Sequence, residues 1–421
     1  MTHAPAMLYL DTRALPGERI AEIDAARSLG LDLYVATPTP DAFRSFGCAG
    51  IIPTRLGDYD AAERTILDYL REHRVELSGV VAWKDLEVVL ASRLSHRLGL
   101  RGTAPDAALN VRDKAATRRV LDAVPNANPR YAVVSSEAEF TAALKRIGAP
   151  ALLKPAGNSG SRGIFPVDAL ADPVEVYRAF RAYNSPEKGE MFSLYGDHAL
   201  LEEQLTGSEH SVSGVVAQGR VAINAIIDKT FDRSIPIQYE NVTPSLLPAD
   251  TQAAIRDMVR AGVAATGIDW CGFHADVMVT RDGPKILEIG GRLGGEFINS
   301  HLIPYSVAGF SPYRTVLDLA RGAIDGPLDD RLGTASTRAG QRIVMPPGLG
   351  RIARVEGFER LWRRPELRFL QVVAGKGAQM ALPKDVFKAY EIAYLIAQCE
   401  LERDIVALLR ELAADVTVTL D

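Results

Sequence analysis

The stretch FHADVMVTRDGPKILEIGGRLGGE, residues 273–296, decides the fold of this chain. Two apolar runs flank Asp282-Gly283, a strong signal for the turn of a β-hairpin. With the turn there, Asp276 and Glu288 lie roughly opposite each other on the two strands. Two inward carboxylates repel each other unless a cation lies between them, and Mg²⁺ is usually held by one or two carboxylates plus substrate phosphates. The hairpin therefore predicts a Mg²⁺ site, with Mn²⁺ as an alternative ion; the other interpretation is two outward-facing charges.

Two lysines precede the hairpin in segments that suggest phosphate binding. Lys114 lies in RDKAATR, and Lys154 lies in ALLKPAGNSGSRG, where Gly157, Gly160 and Gly163 follow it. Such a turn lets the backbone approach a ligand, and its N–H groups suit phosphate oxygens. Taken alone, a lysine is more often a surface residue and a glycine-rich turn more often only a turn. The phosphate-loop pattern G-x-x-x-x-G-K-[ST] is absent.

A third segment, LEEQLTGSEH (201–210), carries three carboxylates. In a nucleotide site, backbone groups near Glu203–Leu205 would contact an adenine edge. Glu209 would accept hydrogen bonds from ribose hydroxyls, for which carboxylates are well suited. The alternative interpretation is an acidic edge strand with no binding role.

The composition is that of a folded globular chain and excludes several classes of protein. The 421 residues are 47% hydrophobic and carry a formal net charge of −5, which argues against broad nucleic-acid binding. Three cysteines, Cys48, Cys271 and Cys399, form no C-x-x-C pair, so a disulfide scaffold is excluded. No signal-peptide pattern and no run of about 18 apolar residues occurs. We expect a cytoplasmic protein with no membrane or nucleic-acid partner.

The chain reads as three domains in sequence. The first part alternates strands and helices, which predicts a parallel, helix-covered sheet, but it has no G-x-G-x-x-G dinucleotide fingerprint. The middle part adds hairpins at Gln218-Gly219 and Asp282-Gly283. A polar stretch rich in Gly and Asp then marks a boundary. The predicted domains cover residues 1–110, 111–322 and 323–421.

Together, these features resemble the ATP-grasp superfamily in their order and approximate spacing. The resemblance implies α/β and α+β elements: a Rossmann-like N-terminal domain, a central nucleotide clamp of two α+β subdomains and a small C-terminal domain. Within the superfamily, NVTPSLL (241–247), EIGGRLGGE (288–296) and QRIVMPPGLGRIARVEG (341–357) are most similar to the L-amino-acid (dipeptide) ligases. Such enzymes join a carboxylate to an amine and release ADP and phosphate.

The resemblance also implies roles for single residues. Asp276 and Glu288 would hold the metal, and Arg292 would act as the catalytic residue that stabilises the transferring phosphoryl group and then the tetrahedral intermediate. The alternative for Arg292 is a structural salt bridge to a neighbouring carboxylate. The predicted ATP-binding residues are Lys114, Lys154, Gly160, Ser161, Glu202, Glu203, Leu205 and Glu209. The predicted substrate-binding residues are His274, Asn241, Gly295 and Glu296, and the alternative for His274 is a core histidine with no binding role.

Some positions depart from the family pattern. Gly290 stands where many ATP-grasp enzymes have Asn, two residues after the metal-binding Glu. Gln238 and Asn241 stand where a better-known dipeptide ligase has Glu and His, and Glu296 replaces a bulky aromatic residue. Because these positions help to choose the amino acids, the sequence leaves substrate identity open.

We therefore expect an ATP-dependent ligase that joins two amino acids through an acyl phosphate. Its partners would be small-molecule amino-acid substrates, and the sequence leaves the oligomeric state open, with a homodimer as one alternative. Two alternatives stay open at this point. One is an ATP-grasp enzyme of nucleotide metabolism that uses formate or bicarbonate, and the other is an ATP-binding regulator without catalysis.

Overall fold

The computed structural model describes residues 4–158, 160, 162–185, 194–195, 197–232, 237–324, 328–382 and 388–421. The predicted alternation of strands and helices near the N-terminus is confirmed. Four parallel strands form a sheet in the order β3-β2-β1-β4, and every residue of its strand β1 is buried. The strands are β1 (Ala6–Leu10), β2 (Asp32–Thr37), β3 (Gly50–Pro53) and β4 (Leu77–Ala82). The helices are α1 (Pro16–Ser28), α2 (Tyr59–Glu72) and α3 (Val88–Arg97), with 3₁₀ turns at Pro40–Phe46 and Asp85–Glu87.

A small antiparallel sheet follows, in the order β5-β8-β6-β7. Two helices cover one of its faces, where Phe140, Tyr177 and Phe180 pack on Leu153 and Leu201. The strands are β5 (Tyr131–Val134), β6 (Ala151–Pro155), β7 (Phe165–Val167) and β8 (Ala199–Glu203). The helices of this region are α4 (Pro105–Asn110), α5 (Lys114–Leu121), α6 (Glu137–Ile147) and α7 (Pro173–Tyr183).

The largest sheet has eight strands and holds the predicted metal hairpin at one edge. Its order is β13-β12-β9-β10-β11-β14-β18-β16. The strands are β9 (Ser208–Ala217), β10 (Arg220–Asp232), β11 (Ile237–Thr243), β12 (Cys271–Thr280), β13 (Gly283–Gly290), β14 (Arg338–Val344), β16 (Leu367–Val372) and β18 (Ala393–Cys399). Both predicted hairpins are present. The first turns at Gln218-Gly219 as predicted, whereas the second turns at Arg281-Asp282, one residue before the predicted Asp282-Gly283, because Gly283 already pairs with Thr280.

A long helix, α8 (Ala249–Thr266), packs on the metal-hairpin end of this sheet. Its buried residues Ile255, Val259 and Val263 belong to the same core as Ile286 and Ile289 of β13. The sequence analysis did not identify this helix. Gly262 lies on the buried face of this helix, where an added Cβ would meet the side chain of Ile286. The glycine interrupts the run of apolar residues on that face, so the sequence pattern is weak.

The remaining elements connect the large sheet to the C-terminus. A π-helix at Ile298–Leu302 precedes α9 (Ile303–Ser306) and α10 (Pro312–Ala320), and the C-terminal part adds α11 (Phe358–Leu361) and α12 (Ile405–Ala414). A third antiparallel sheet has the order β17-β15-β19, made of β15 (Gly350–Glu356), β17 (Gln379–Met380) and β19 (Thr417–Leu420). Strands on both sides of the predicted boundary at 322/323 share the eight-stranded sheet, so the domain limits stay a prediction.

No helix within the described residues combines the length and apolarity that crossing a membrane requires. All three cysteines are free.

Candidate active site

The hairpin of β12 and β13 places Asp276 directly opposite Glu288, as the sequence predicts. His274 lies two residues before Asp276 on the same strand, and its Nε2 is 3.1 Å from Glu288 Oε1. One ligand atom from each of His274, Asp276 and Glu288 lies within 4.8 Å of the others. Burial alone would raise the pKa of Glu288, but the hydrogen bond with His274 and the ammonium of Lys114 hold it below its usual range.

A lysine that the sequence analysis did not single out joins this cluster. Lys229, on β10, donates to Glu209 Oε1 at 2.8 Å and to Asp276 Oδ2 at 3.1 Å. Burial alone would lower the pKa of Lys229, but Asp276, Glu209 and Glu296 raise it above its usual range. The other oxygen of Asp276, Oδ1, is buried and has no hydrogen-bond partner among the described residues.

These residues fit a divalent cation. The hairpin offers two carboxylates and an imidazole, and one buried carboxylate oxygen lacks a partner within the part of the chain that the structure describes. His274 Nε2 lies 3.1 Å from Glu288 Oε1, and one ligand atom of each of the three residues lies within 4.8 Å of the others, so they could hold one ion together.

Lys154 points into the site from the end of β6, where Glu202 of β8 holds it. Glu202 is buried and accepts hydrogen bonds from Lys154 Nζ at 2.5 Å and from Arg118 Nε. Burial alone would raise the pKa of Glu202, but the two cations lower it to about 2. Arg118 also donates to the carbonyls of Ile286 (2.9 Å) and Leu287 (2.7 Å), so the same ion network ties the small sheet to β13.

Lys114 is the first residue of α5, a helix that begins at Asp113. The Asp113 side chain caps the helix by accepting from Ala115 N, and Lys114 N donates to the Ala156 carbonyl at 3.0 Å. Its ammonium donates to the carbonyl of Asn158, at the start of the glycine-rich turn. The pKa of Lys114 is lowered to about 8, mainly by burial. The charges of Arg112 and Lys154 also lower this pKa, whereas the carboxylate of Glu288 raises it.

The glycine-rich turn uses a backbone conformation that favours glycine. Gly160 has φ +66° and Gly163 has φ +72°. Asn184 closes the turn from α7 by donating to the Gly163 carbonyl at 3.0 Å. The predicted residue Ser161 lies outside the described residues.

A cavity of about 190 Å³ lies between the small sheet and the metal hairpin. Leu152, Ile164, Met278 and Leu287 give it apolar walls suited to a planar aromatic ring. Eight residues predicted to bind the nucleotide or the metal line it: Lys114, Lys154, Glu202, Glu203, Leu205, Glu209, Asp276 and Glu288. The structure thus brings together residues from four separate sequence motifs.

Arg292 is held by a carboxylate from the N-terminal domain. Asp85 accepts from Arg292 Nε at 3.1 Å and from its Nη2 as well. Arg112 lies 3.7 Å from the same carboxylate and donates to the Gly157 carbonyl at 2.8 Å. Burial alone would raise the pKa of Asp85, but both guanidiniums hold it well below its usual range. The salt bridge considered as an alternative therefore exists, and it fixes Arg292 beside the hairpin.

The predicted substrate residues Asn241 and Glu296 are brought together. Glu296 accepts from Gln238 Nε2 at 2.5 Å and from Asn241 Nδ2 at 3.3 Å. Glu296 has φ +60°, a left-handed conformation that costs a non-glycine residue about 1–3 kcal/mol and often marks a binding site. Gly295 lies beside the N-terminal domain, where a Cβ would approach Arg13 Nε to 3.3 Å.

The residues missed by the sequence analysis share one property: their partners lie far away in sequence. Lys229 is 47 positions from Asp276, Arg118 is 84 positions from Glu202, and Asp85 is 207 positions from Arg292. Lys229 alone carried a weak signal, because it is one of only ten lysines and lies in an apolar strand.

Comparison with known proteins agrees with this geometry. Residues 147–300 match the ATP-grasp domain. The chain is 28% identical over 299 residues to carnosine synthase 1 of Gallus gallus, covering 65% of this chain and 31% of that protein. It is 25% identical over 258 residues to the alanine–anticapsin ligase of Bacillus subtilis, covering 56% of this chain and 53% of that protein. The chain thus spans about half or less of the length of these relatives.

Among solved structures, the L-amino acid ligase from Bacillus licheniformis superposes with a TM-score of 0.80 at 21% identity, over 100% of this chain and 99% of that one. At that identity the likeness concerns the fold. The domain match, the two relatives and the shared architecture agree on an ATP-grasp fold for this chain.

Proposed function

We propose that the protein is an ATP-dependent ligase that joins the carboxylate of one amino acid to the amine of a second and releases ADP and phosphate. One observation carries this proposal: two lysines, an acidic hairpin and an apolar-walled cavity converge between two sheets. Phosphoryl transfer needs positioning and charge neutralisation more than covalent chemistry, and these residues supply both. The named activities of carnosine synthase and alanine–anticapsin ligase support an amino-acid substrate.

The nucleotide would lie in the cavity with its adenine between the apolar walls. Lys114 and Lys154 would contact the α- and β-phosphates, and the turn at Gly160 and Ser161 would close over them. Backbone groups near Glu203–Leu205 would contact the adenine edge. Glu209 already accepts a hydrogen bond from the Lys229 ammonium. It would accept hydrogen bonds from the ribose hydroxyls only if that pairing loosens.

The metal would be held by Asp276 and Glu288. When bound, a divalent ion neutralises charge on the phosphates and orients the γ-phosphate for attack. Lys229 keeps one oxygen of Asp276 occupied, which leaves the other oxygen available to the ion.

The reaction then follows in two balanced steps. A carboxylate oxygen of the first amino acid attacks the γ-phosphorus, and the bond to the β-phosphate oxygen breaks, giving an acyl phosphate and ADP. The amine of the second amino acid attacks the acyl carbon, the bond from that carbon to the phosphate oxygen breaks, and the amine proton passes to the departing phosphate. Arg292 would stabilise the charge that develops in both steps, held in place by Asp85.

The site for the amino acids would lie beside Arg292, whose carbonyl oxygen is 3.4 Å from His274 Nδ1, and would include Glu296, which accepts from Asn241. Glu296 adds a carboxylate to this region, and a carboxylate there suits an amine-bearing substrate.

The direct test is phosphate release from Mg²⁺-ATP with every pair of the twenty amino acids, followed by mass spectrometry of the products. A pair-dependent signal with a new amide mass is the expected result. Formate- or bicarbonate-dependent release without an amide product would contradict the proposal in favour of the nucleotide-metabolism alternative. Nucleotide binding with no release for any substrate would favour the non-catalytic alternative.

A variant of the metal hairpin checks the same proposal. Glu288→Gln should lower the ligation rate about 10²-fold or more, because the ion supplies several kcal/mol of charge stabilisation. The matched control Glu175→Gln changes an exposed glutamate of α7 and should keep the wild-type rate. Equal rates in the two variants would remove the metal assignment.

A further inference from the structure

The imidazole of His274 occupies the space that a side chain at residue 290 would need. The two residues face each other across β12 and β13. A Cβ added to Gly290 would lie 2.2 Å from His274 Cε1 and 2.5 Å from Nδ1, closer than real contacts allow. Gly290 is therefore required for the ring to stand where it does.

The ring is oriented so that one nitrogen faces the two carboxylates. Nδ1 lies 3.4 Å from the carbonyl oxygen of Arg292, and Nε2 lies 3.1 Å from Glu288 Oε1. A histidine that ligates a metal usually donates its other ring N–H to a backbone carbonyl in this manner. In the tautomer that can ligate a metal, with the proton on Nδ1, the lone pair of Nε2 faces Glu288, and Asp276 adds a buried oxygen that has no partner among the described residues. Three electron-pair donors thus face one another.

We propose that His274 is a third protein ligand of the metal, through Nε2, and that the ion is held by one nitrogen and two carboxylates. This proposal rests on the proposed nucleotide site and assigns to His274 a role other than substrate contact. A site of this kind favours first-row transition ions such as Mn²⁺ over Mg²⁺, because imidazole is a better ligand for the former. A positioning role, in which His274 only hydrogen-bonds Glu288, is the competing explanation.

The test uses Mn²⁺ and ADP with the full chain, and its readout is spectroscopic. Electron spin-echo modulation of bound Mn²⁺ detects ¹⁴N nuclei directly bonded to the ion. We expect an imidazole coupling in the wild type, its replacement by a ¹⁵N pattern after labelling with ¹⁵N-histidine, and its loss in His274→Ala. The matched control His73→Ala, at an exposed histidine, should keep the coupling.

A second variant displaces the imidazole without changing His274 itself. Gly290→Ala should expel the ring and abolish the nitrogen coupling, whereas Gly294→Ala should keep it, since a Cβ there meets its neighbours at 3.6 Å or more. Both Gly290→Ala and His274→Ala should weaken Mn²⁺ binding roughly 10- to 100-fold and Mg²⁺ binding less. Circular dichroism confirms that each variant is folded.

The outcomes separate the two proposals. Absence of saturable Mn²⁺ binding, absence of nitrogen coupling in the wild type, or its persistence in His274→Ala each overturns the ligand assignment. None of these readouts depends on amide formation. A protein that shows the coupling but forms no amide would overturn the proposed function alone. A protein that forms the amide but shows no coupling would overturn this inference alone.

Discussion

At the scale of single residues, the charged groups of the site are positioned by partners from distant segments. Asp85 binds Arg292 through two oxygens and also lies near Arg112. A two-oxygen contact with a guanidinium fixes its direction as well as its charge. The orientation of Arg292 therefore depends on a residue of the N-terminal domain that has no other place in the proposed chemistry.

The variant Asp85→Asn tests this dependence. The amide keeps the shape but removes the negative charge that faces two guanidiniums, so Arg292 loses its fixed orientation. We expect kcat of ligation to fall about 10- to 100-fold, with little change in KM for ATP, because misplacement by about 1 Å is costly. Steady-state kinetics against the control Asp24→Asn, an exposed residue of α1, would measure it. An unchanged kcat would show that Arg292 needs no support from Asp85.

Lys114 makes nucleotide binding sensitive to pH. Its pKa is lowered to about 8, so the free protein carries the charge below that pH and loses it above. Phosphates favour the charged form, so above pH 8 binding must take up a proton. ATP affinity should fall up to tenfold per pH unit from pH 8 upward. Calorimetric titrations from pH 7 to 9.5 would measure this.

The variant Lys114→Arg supplies the control, because a guanidinium stays charged throughout that range. Its ATP affinity should be nearly constant between pH 7 and 9.5. A wild-type profile as flat as that of the variant would exclude Lys114 as the titrating group.

At the scale of secondary-structure elements, the glycine-rich turn is fixed by α7. Asn184 donates to the carbonyls of Gly163 and Phe180, so the end of the helix holds the turn. A Cβ at Gly163 would lie 1.9 Å from Asn184 Oδ1 and would require a left-handed backbone as well. The turn and the helix therefore form one unit.

Gly163→Ala should break that unit. Asn184 would have to leave, losing both hydrogen bonds, and the backbone strain adds to the cost. We expect the free energy of unfolding to fall by about 1–3 kcal/mol more than in Gly148→Ala, whose φ is also positive but whose Cβ would meet no neighbour. Urea unfolding of the two variants measures the difference. Equal losses would mean that Asn184 does not hold the turn.

The elements that the sequence predicted correctly are those specified by local chemistry. Both hairpins were predicted from a glycine with positive φ at or beside the turn. The opposition of Asp276 and Glu288 also needs a register shift between Asp276 and Val277, which no local pattern predicted. The helix α8 and the partners of Arg292 depended on packing between remote segments. No local pattern encodes such contacts. The motifs therefore predicted residues that line the cavity, but not the ion pairs that hold those residues in place.

At the scale of the whole molecule, Arg13 joins the N-terminal sheet to the loop after the metal hairpin. Its guanidinium donates to the carbonyls of Leu293 (2.5 Å) and Gly294 (3.0 Å) and to the hydroxyl of Tyr313 (3.1 Å). It also pairs with Glu22, a fully buried carboxylate of α1. Most of these groups are buried, so they could not replace a lost partner with water. The Arg13 contacts therefore stabilise both the N-terminal sheet and the loop after the hairpin.

Arg13→Met should lower the free energy of unfolding by about 3–5 kcal/mol, because it leaves the charge of Glu22 buried without its cation. The double variant Arg13→Met/Glu22→Met should recover much of that loss, since an apolar pair of similar volume often replaces a buried ion pair at little cost. Denaturant unfolding of both variants gives the comparison. A double variant no more stable than Arg13→Met would show that the carbonyl contacts, and not the ion pair, dominate.

The salt bridge between Asp85 and Arg292 sets the smallest unit that protein engineers can exchange between relatives. A segment cut to residues 147–300 would retain the metal hairpin but would lose Asp85, Lys114 and Arg118. Arg292 would then lose the carboxylate that orients it and keep its hydrogen bond to the Leu293 carbonyl, and Glu202 would keep one of its two cations. A chimaera that preserves the phosphate-transfer machinery must therefore take its crossover point before Asp85, well upstream of the segment that carries the family signature.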